Sequence, residues 1–204
     1  MNINIFGSTG IIGSKSLLLI DKYFPDLKIN LLCANNNYIK LAKQVNQYKP
    51  NYVYLNNYKK YKQFKNIIKS KTVILNYKEL NSYLNDSFSD LSILAISGYK
   101  SLNYFDSILK NTNSLGLVSK EAIVSGGHLF KKLDKKTRSK IYPLDSEHFS
   151  IFKFLNFNRF DSKINKLILT ASGGPFYGQK YSSLKNVTFK MASNHPKWKM
   201  GYKN

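Results

Sequence analysis

The chain has 204 residues, with 32 lysines and arginines against 11 aspartates and glutamates, a formal net charge of +21 and a hydrophobic fraction of 43%. That apolar content supports a packed core and excludes a disordered chain, while the length falls between one ordinary domain and two full ones. Lysine is interleaved with asparagine, isoleucine and tyrosine along almost the whole length. The charge therefore reads as compositional bias that attracts small anions, and it argues against a nucleic-acid stripe.

Cys33 is the only cysteine, so no intramolecular disulfide forms, as expected in a reducing compartment. No apolar run reaches the length of a bilayer span, and a β-type run beginning at residue 2 leaves no room for a leader. The expectation is a cytoplasmic protein with neither nucleic acid nor membrane as partner.

Asn2–Phe6 is that first β-type run, and it flows into Gly7-Ser8-Thr9-Gly10-Ile11-Ile12-Gly13. A helix follows with Leu17, Leu18, Ile20 and Phe24 as apolar positions, closing before Pro25. Strand, glycine turn and helix in this order give the context of a dinucleotide-binding turn: glycines admit a pyrophosphate, and free helix-start amides face it. A glycine turn before a helix is also, by itself, simply a turn.

A second strand is predicted over 29–34. Dinucleotide sites for NAD usually carry a carboxylate at its end for the ribose 2′-hydroxyl. Here Asn35, Asn36 and Asn37 stand there, with Lys40 one turn on and no acidic residue between Asp26 and Glu79. Nothing nearby repels a 2′-phosphate, which favours NADP over NAD; the alternative is an Asn-rich turn capping a helix over 39–48.

The alternation continues with a strand at 52–55, a helix at 64–69, a strand at 72–75 and a short helix at 79–84. A strand at 91–96, a helix at 102–109 and a strand at 114–118 follow. This pace predicts an α/β fold with a doubly wound, mostly parallel, Rossmann-like sheet whose strand ends face the ligand crevice. Lys120 follows the last of these strands; read alone, it is an ordinary exposed helix-start residue.

The basic connector over 131–140 holds the expected domain boundary, giving a nucleotide-binding domain over 1–130 and the start of an α+β catalytic domain over 131–204. Beyond it come Asp145-Ser146-Glu147-His148, a helix bearing Phe149, Ile151, Phe152 and Leu155, and a predicted strand over 164–170. Asp145 and Glu147 are two apart and would diverge on a helix. At a strand-to-helix junction both can turn onto one hard cation, or Asp145 can cap the helix and Glu147 complement its dipole. The strand runs into Ser172-Gly173-Gly174-Pro175-Phe176, a turn able to offer a hydroxyl and amides to a phosphate. His195-Pro196-Lys197-Trp198-Lys199-Met200-Gly201 reads as a lid.

Together, Gly7-Ser8-Thr9-Gly10-x-Ile12-Gly13, Lys120-Glu121, Leu144-Asp145-Ser146-Glu147-His148, Ser172-Gly173-Gly174-Pro175-Phe176 and His195-Pro196-x-Trp198-x-Met200-Gly201 resemble the 1-deoxy-D-xylulose 5-phosphate reductoisomerase family. The resemblance spans the whole chain but only the first half of the family's usual length. It implies NADPH along Thr9, Gly10, Ile11 and Ile12, with Asn35, Asn36 and Asn37 around the 2′-phosphate and Ser119, Glu121 and Gly201 also on the cofactor. It implies Mg²⁺ or Mn²⁺ on Asp145 and Glu147, and substrate contacts from Lys120, Ser146, Ser172, His195 and Trp198. Lys120, Asp145, Glu147 and His195 would serve the chemistry, on a small phosphorylated sugar, in a homodimer when full length.

Departures from the family pattern are Ile11 for a usual Ser, Asn35-Asn36 for Gly and a cation, and Ser119 for Asn. The chain stops at Asn204, before the third metal-binding Glu and the Ser, Asn and Lys that finish the family's phosphate site. Two alternatives stand beside the reductoisomerase: a dinucleotide-binding module without turnover, and a different oxidoreductase on a similar sheet.

Overall fold

The computed structural model describes residues 1–134, 139–157, 164–170 and 173–196. Its chain divides into two compact units, Met1–Phe157 and Asn158–Asn204. In the first unit β1 (Asn2–Phe6), β2 (Lys28–Ala34), β3 (Tyr52–Leu55) and β4 (Val73–Leu75) alternate with α1 (Ile11–Tyr23), α2 (Tyr38–Tyr48) and α3 (Tyr61–Ile67). The chain then crosses back through α4 (Tyr77–Asp86). It continues as β5 (Ser89–Leu94), α5 (Leu102–Lys110), β6 (Thr112–Leu117), α6 (Lys120–Asp134), β7 (Lys140–Pro143) and α7 (Ser146–Phe157).

The strand order is β4-β3-β2-β1-β5-β6-β7, and every pair is parallel. The sheet grows from β1 to one side through β4 and then to the other from β5, so the crevice of this doubly wound sheet opens at the carboxyl ends of β1 and β5. The strands read as near-continuous apolar runs because helices cover both faces. Alternate residues feed two cores. Ile3 and Ile5 join Leu17, Leu41, Val45 and Phe64 on one side. Phe6 joins Leu80, Leu84, Phe105, Ile108 and Leu109 on the other.

Local chemistry sets the helix boundaries. Asn37 caps α2 by accepting from the Lys40 amide at 3.1 Å, and Asn76 and Glu79 form a reciprocal capping box on α4. The register between β1 and β2 slips at Ile3/Asn4, which frees Asn30 to bond the Tyr83 hydroxyl and, at 2.7 Å, the Asn51 amide. Asn4 accepts from the same tyrosine at 3.1 Å, so these buried polar groups are satisfied.

Two features differ from the sequence expectation. β7 was not anticipated: Lys-Ile-Tyr-Pro is short, half exposed and ends in proline, as an edge strand tolerates. Residues 164–170 form no strand among the described residues. Their apolar side chains produced the expectation, yet Ile164, Leu167, Ile168 and Leu169 are all exposed, and an extended segment becomes a strand only when a partner ladders with it. Among its described residues the second unit holds a 3₁₀ turn over Tyr181–Asn186 and a one-turn α8 (Phe189–Ala192), whose cap Thr188 accepts from the Met191 amide at 3.3 Å.

Candidate functional site

The glycine turn after β1 is wedged between two strand ends. The Gly7 and Ser8 amides donate to the Cys33 carbonyl at 2.8 and 3.0 Å. Gly7 has φ +80, and a Cβ there would stand 2.6 Å from the Ala95 carbonyl oxygen, so only glycine fits. Gly13 presses α1 onto the turn; its Cβ would lie 2.3 Å from the Gly7 oxygen. From behind, the buried Gln44 closes a reciprocal pair with Ser8: Ser8 Oγ donates to Gln44 Oε1 and Gln44 Nε2 donates to the Ser8 carbonyl, each at 2.8 Å. Gln44 was missed in the sequence, although a polar residue on the apolar stripe of Leu41, Ala42 and Val45 is a readable signal.

Helix α1 begins at Gly10 with no side-chain cap and no carboxylate in its first turn. Its first amides thus remain suited to an anion. Thr9 and Gly10 border a cavity of about 640 Å³ that Ala34, Asn35, Asn56, Lys100 and Tyr104 also line. Ile11 and Ile12 lie exposed beside it at the helix start.

The Asn35–Asn37 loop is tied to the loop after β3 by an amide ladder. Asn56 Nδ2 donates to Asn35 Oδ1 and Asn57 Nδ2 to Asn36 Oδ1, both at 2.9 Å. All three asparagines of the β2 loop are exposed. Lys40 Nζ reaches back to the Thr9 carbonyl at 2.9 Å, joining this loop to the glycine turn.

On the other side of the crevice, the ends of β5, β6 and β7 form a continuous row. Buried Ser119 sets its Oγ 3.0 Å from the Gly98 carbonyl and 2.9 Å from Glu121 Oε2, its single proton serving one at a time. The neighbouring Lys120 extends to the junction after β7. There the Leu144 amide bonds the Leu117 carbonyl at 2.7 Å, and Gly116 leaves the space that the Leu144 side chain fills. This fixes Asp145 as the cap of α7: its Oδ1 accepts from the His148 amide at 3.0 Å and lies 3.0 Å from His148 Nδ1.

The cap does not use up the carboxylate. Lys120 Nζ stands 3.2 Å from Asp145 Oδ2 and 2.8 Å from Glu147 Oε2. The two carboxylates therefore converge on one cation, the Lys120 ammonium. Asp145 Oδ2 is buried and makes no hydrogen bond, so its contact with the ammonium is ionic and poorly aligned. Hydrogen bonding to Glu147, followed by the Asp145 contact, raises the Lys120 pKa above its ordinary value, partly offset by burial. The Lys120 hydrogen bond lowers that of Glu147. An orphaned carboxylate oxygen and a lysine cation shared by two carboxylates fit a hard divalent ion in the ammonium's place. Among the described residues no group of three or more His, Cys, Asp or Glu side chains is arranged to hold a metal.

Ser146 is exposed at the start of α7. His195 follows α8 in the second unit and is half-buried. Ser172, Trp198 and Gly201 lie outside the described residues. No helix among the described residues is long and apolar enough to cross a membrane.

A glycine-turned parallel sheet with its crevice at the reversal of strand order defines a Rossmann-like, doubly wound α/β protein. The family model for 1-deoxy-D-xylulose 5-phosphate reductoisomerase matches residues 3–127, and that for its C-terminal domain matches residues 141–204. The chain belongs to this family. It is 38% identical over 204 residues to the 1-deoxy-D-xylulose 5-phosphate reductoisomerase of Pelagibacter ubique, covering 98% of this chain and 52% of that protein. To the Sulfurihydrogenibium enzyme it is 37% identical, covering 100% and 51%.

Among solved structures, it matches a DOX-P reductoisomerase in complex with NADPH, fosmidomycin and magnesium at TM-score 0.81 and 28% identity, covering 100% of this chain and 53% of that one. It matches the Zymomonas mobilis enzyme in complex with NADPH at TM-score 0.82 and 27% identity, covering 96% and 52%. The chain thus spans about half the length of the relatives it matches.

Proposed function

We propose that this chain carries the NADPH-binding and metal-carboxylate parts of a reductoisomerase that converts 1-deoxy-D-xylulose 5-phosphate to 2-C-methyl-D-erythritol 4-phosphate. The observation that carries the reading is the row of groups along the carboxyl ends of the strands. The cavity at the glycine turn is lined by Ala95, Ile96 and Lys100 after β5. In the same loop the Gly98 carbonyl lies 3.0 Å from Ser119 Oγ, and the next residue, Lys120, pairs with the two carboxylates. A hydride donor in that crevice and a substrate at the carboxylates would therefore be neighbours.

In this reading Thr9, Gly10, Ile11 and Ile12 present α1 amides to the pyrophosphate, and Asn35, Asn36 and Asn37 surround the 2′-phosphate. Ser119 and Glu121 steady the nicotinamide side, and Gly201 is assigned to the cofactor as well. Asp145 and Glu147 hold Mg²⁺ or Mn²⁺. Lys120 is released to meet the substrate beside Ser146, while Ser172, His195 and Trp198 complete the sugar contacts. The bound metal supplies Lewis-acid polarisation of the ketone and adjacent hydroxyl, and NADPH supplies hydride. The chain's own residues contribute orientation: the α7 cap fixes Asp145, and the Ser8–Gln44 pair fixes the phosphate turn.

We assign residues 1–130 to the nucleotide-binding domain and 131–204 to the start of the catalytic domain. The family models change over between residues 127 and 141, which supports that division. The full-length protein is a cytoplasmic homodimer in this reading.

Titration of the purified chain with both reduced nicotinamides tests the proposal, with fluorescence as readout. NADPH is expected to bind more tightly than NADH, because no carboxylate faces the 2′ position. With 1-deoxy-D-xylulose 5-phosphate and Mn²⁺ present, NADPH oxidation is expected only when the C-terminal half of a full-length relative is supplied. Preference for NADH, or binding of neither nucleotide, would overturn the cofactor assignment. Robust turnover by the chain alone would overturn the division of the site.

A further inference from the structure

We infer that Lys40 is the cation that recognises the cofactor's 2′-phosphate and gives this chain its preference for NADPH. The inference rests on the dinucleotide reading above and adds a residue to it. Lys40 occupies the third position of α2, in a helical first turn that contains no acidic residue. A positive side chain at that end opposes the helix dipole, so helix stability does not account for it.

Its side chain reaches back to the glycine turn, where Nζ donates to the Thr9 carbonyl at 2.9 Å, partly buried. Thr9 lines the cavity together with Asn35. The ammonium thus lies between the phosphate turn after β1 and the loop after β2, the two segments that bracket the adenosine ribose on a sheet of this kind. The loop asparagines cannot supply the charge. Asn36 Oδ1 accepts from Asn57 and Asn35 Oδ1 from Asn56, leaving neutral amides to complement a cation.

Other positive groups nearby are differently placed. Lys60 Nζ stands 5.9 Å from the Tyr38 ring centroid, and Lys100 lines the cavity from the turn after β5. Lys40 alone among these three holds a carbonyl of the glycine turn, and an arriving phosphate would find its ammonium already partly desolvated there. A charged hydrogen bond of this type has an effect of about tenfold or more in affinity.

The test is NADPH and NADH fluorescence titration of the full 204-residue chain, wild type against Lys40→Met and Lys40→Arg, at two salt concentrations. Lys40→Met is expected to weaken NADPH by about tenfold, to leave NADH within about twofold and to flatten the salt dependence of NADPH binding. Lys40→Arg should restore NADPH affinity. Equal weakening of both nucleotides by Lys40→Met would mean that the lysine only braces the turn, and unchanged NADPH affinity would mean that another group reads the phosphate; either result overturns the inference. If wild type binds neither nucleotide, the dinucleotide reading itself fails, and this inference fails with it.

Discussion

Gly13→Ala will destabilise the chain by about 3 kcal/mol and abolish NADPH binding at concentrations that saturate wild type. The added Cβ would lie 2.3 Å from the Gly7 oxygen and 2.7 Å from the Ser8 Cα, both backbone atoms that cannot rotate away. Relief requires α1 to lift from the turn, which removes its amides from the phosphate position and strains the Ser8–Gln44 pair. Against a typical total of about 5–15 kcal/mol, such a loss will be plain in urea denaturation. Gly127→Ala provides the contrast. Gly127 directly follows Gly126, whose non-helical backbone kinks α6, and a Cβ there meets nothing within 4 Å, so the substitution should change stability by less than about 0.5 kcal/mol. If both substitutions behave alike, Gly13 is not a contact glycine.

Asp145→Asn will lower Mn²⁺ affinity by about a hundredfold while leaving the unfolding midpoint nearly unchanged. The two roles of Asp145 lie on different oxygens: Oδ1 caps α7, and Oδ2 faces the Lys120 ammonium without a hydrogen bond. Asparagine keeps an oxygen for the cap, at which it performs about as well as aspartate. It loses the charge that a divalent ion needs. Electron paramagnetic resonance of Mn²⁺ gives the affinity and denaturation gives the cap. Unchanged Mn²⁺ binding would reduce the pair to a helix cap and its neighbour.

The sheet was legible because each parallel strand is apolar along its length and each is followed by a helix-period segment. The glycine turn was legible as a strand-turn-helix junction. Residues 164–170 misled because Ile164, Leu167, Ile168 and Leu169 carry a strand's composition, whereas pairing depends on a partner elsewhere. The convergence of Asp145 and Glu147 was readable as a junction property. That Lys120 is their shared cation was not, since it depends on β7 docking beside β6.

The Asn35–Asn56 and Asn36–Asn57 ladder likewise joins residues 21 apart in sequence. It exists only because β3 lies beside β2 and brings their following loops together. In sequence Lys40 stands one turn beyond the asparagines, but its approach to Thr9 spans 31 residues and exists only in the folded crevice.

The central claim is that the carboxyl ends of one parallel sheet hold both an NADPH crevice and a divalent-metal carboxylate pair. Backbone hydrogen exchange of the 204-residue chain, measured with saturating NADPH and separately with Mn²⁺, tests it most directly. NADPH should slow exchange at residues 7–13 and 35–40, and Mn²⁺ should slow it at residues 145–148. Unchanged exchange in those segments, with protection elsewhere or none, would contradict the account.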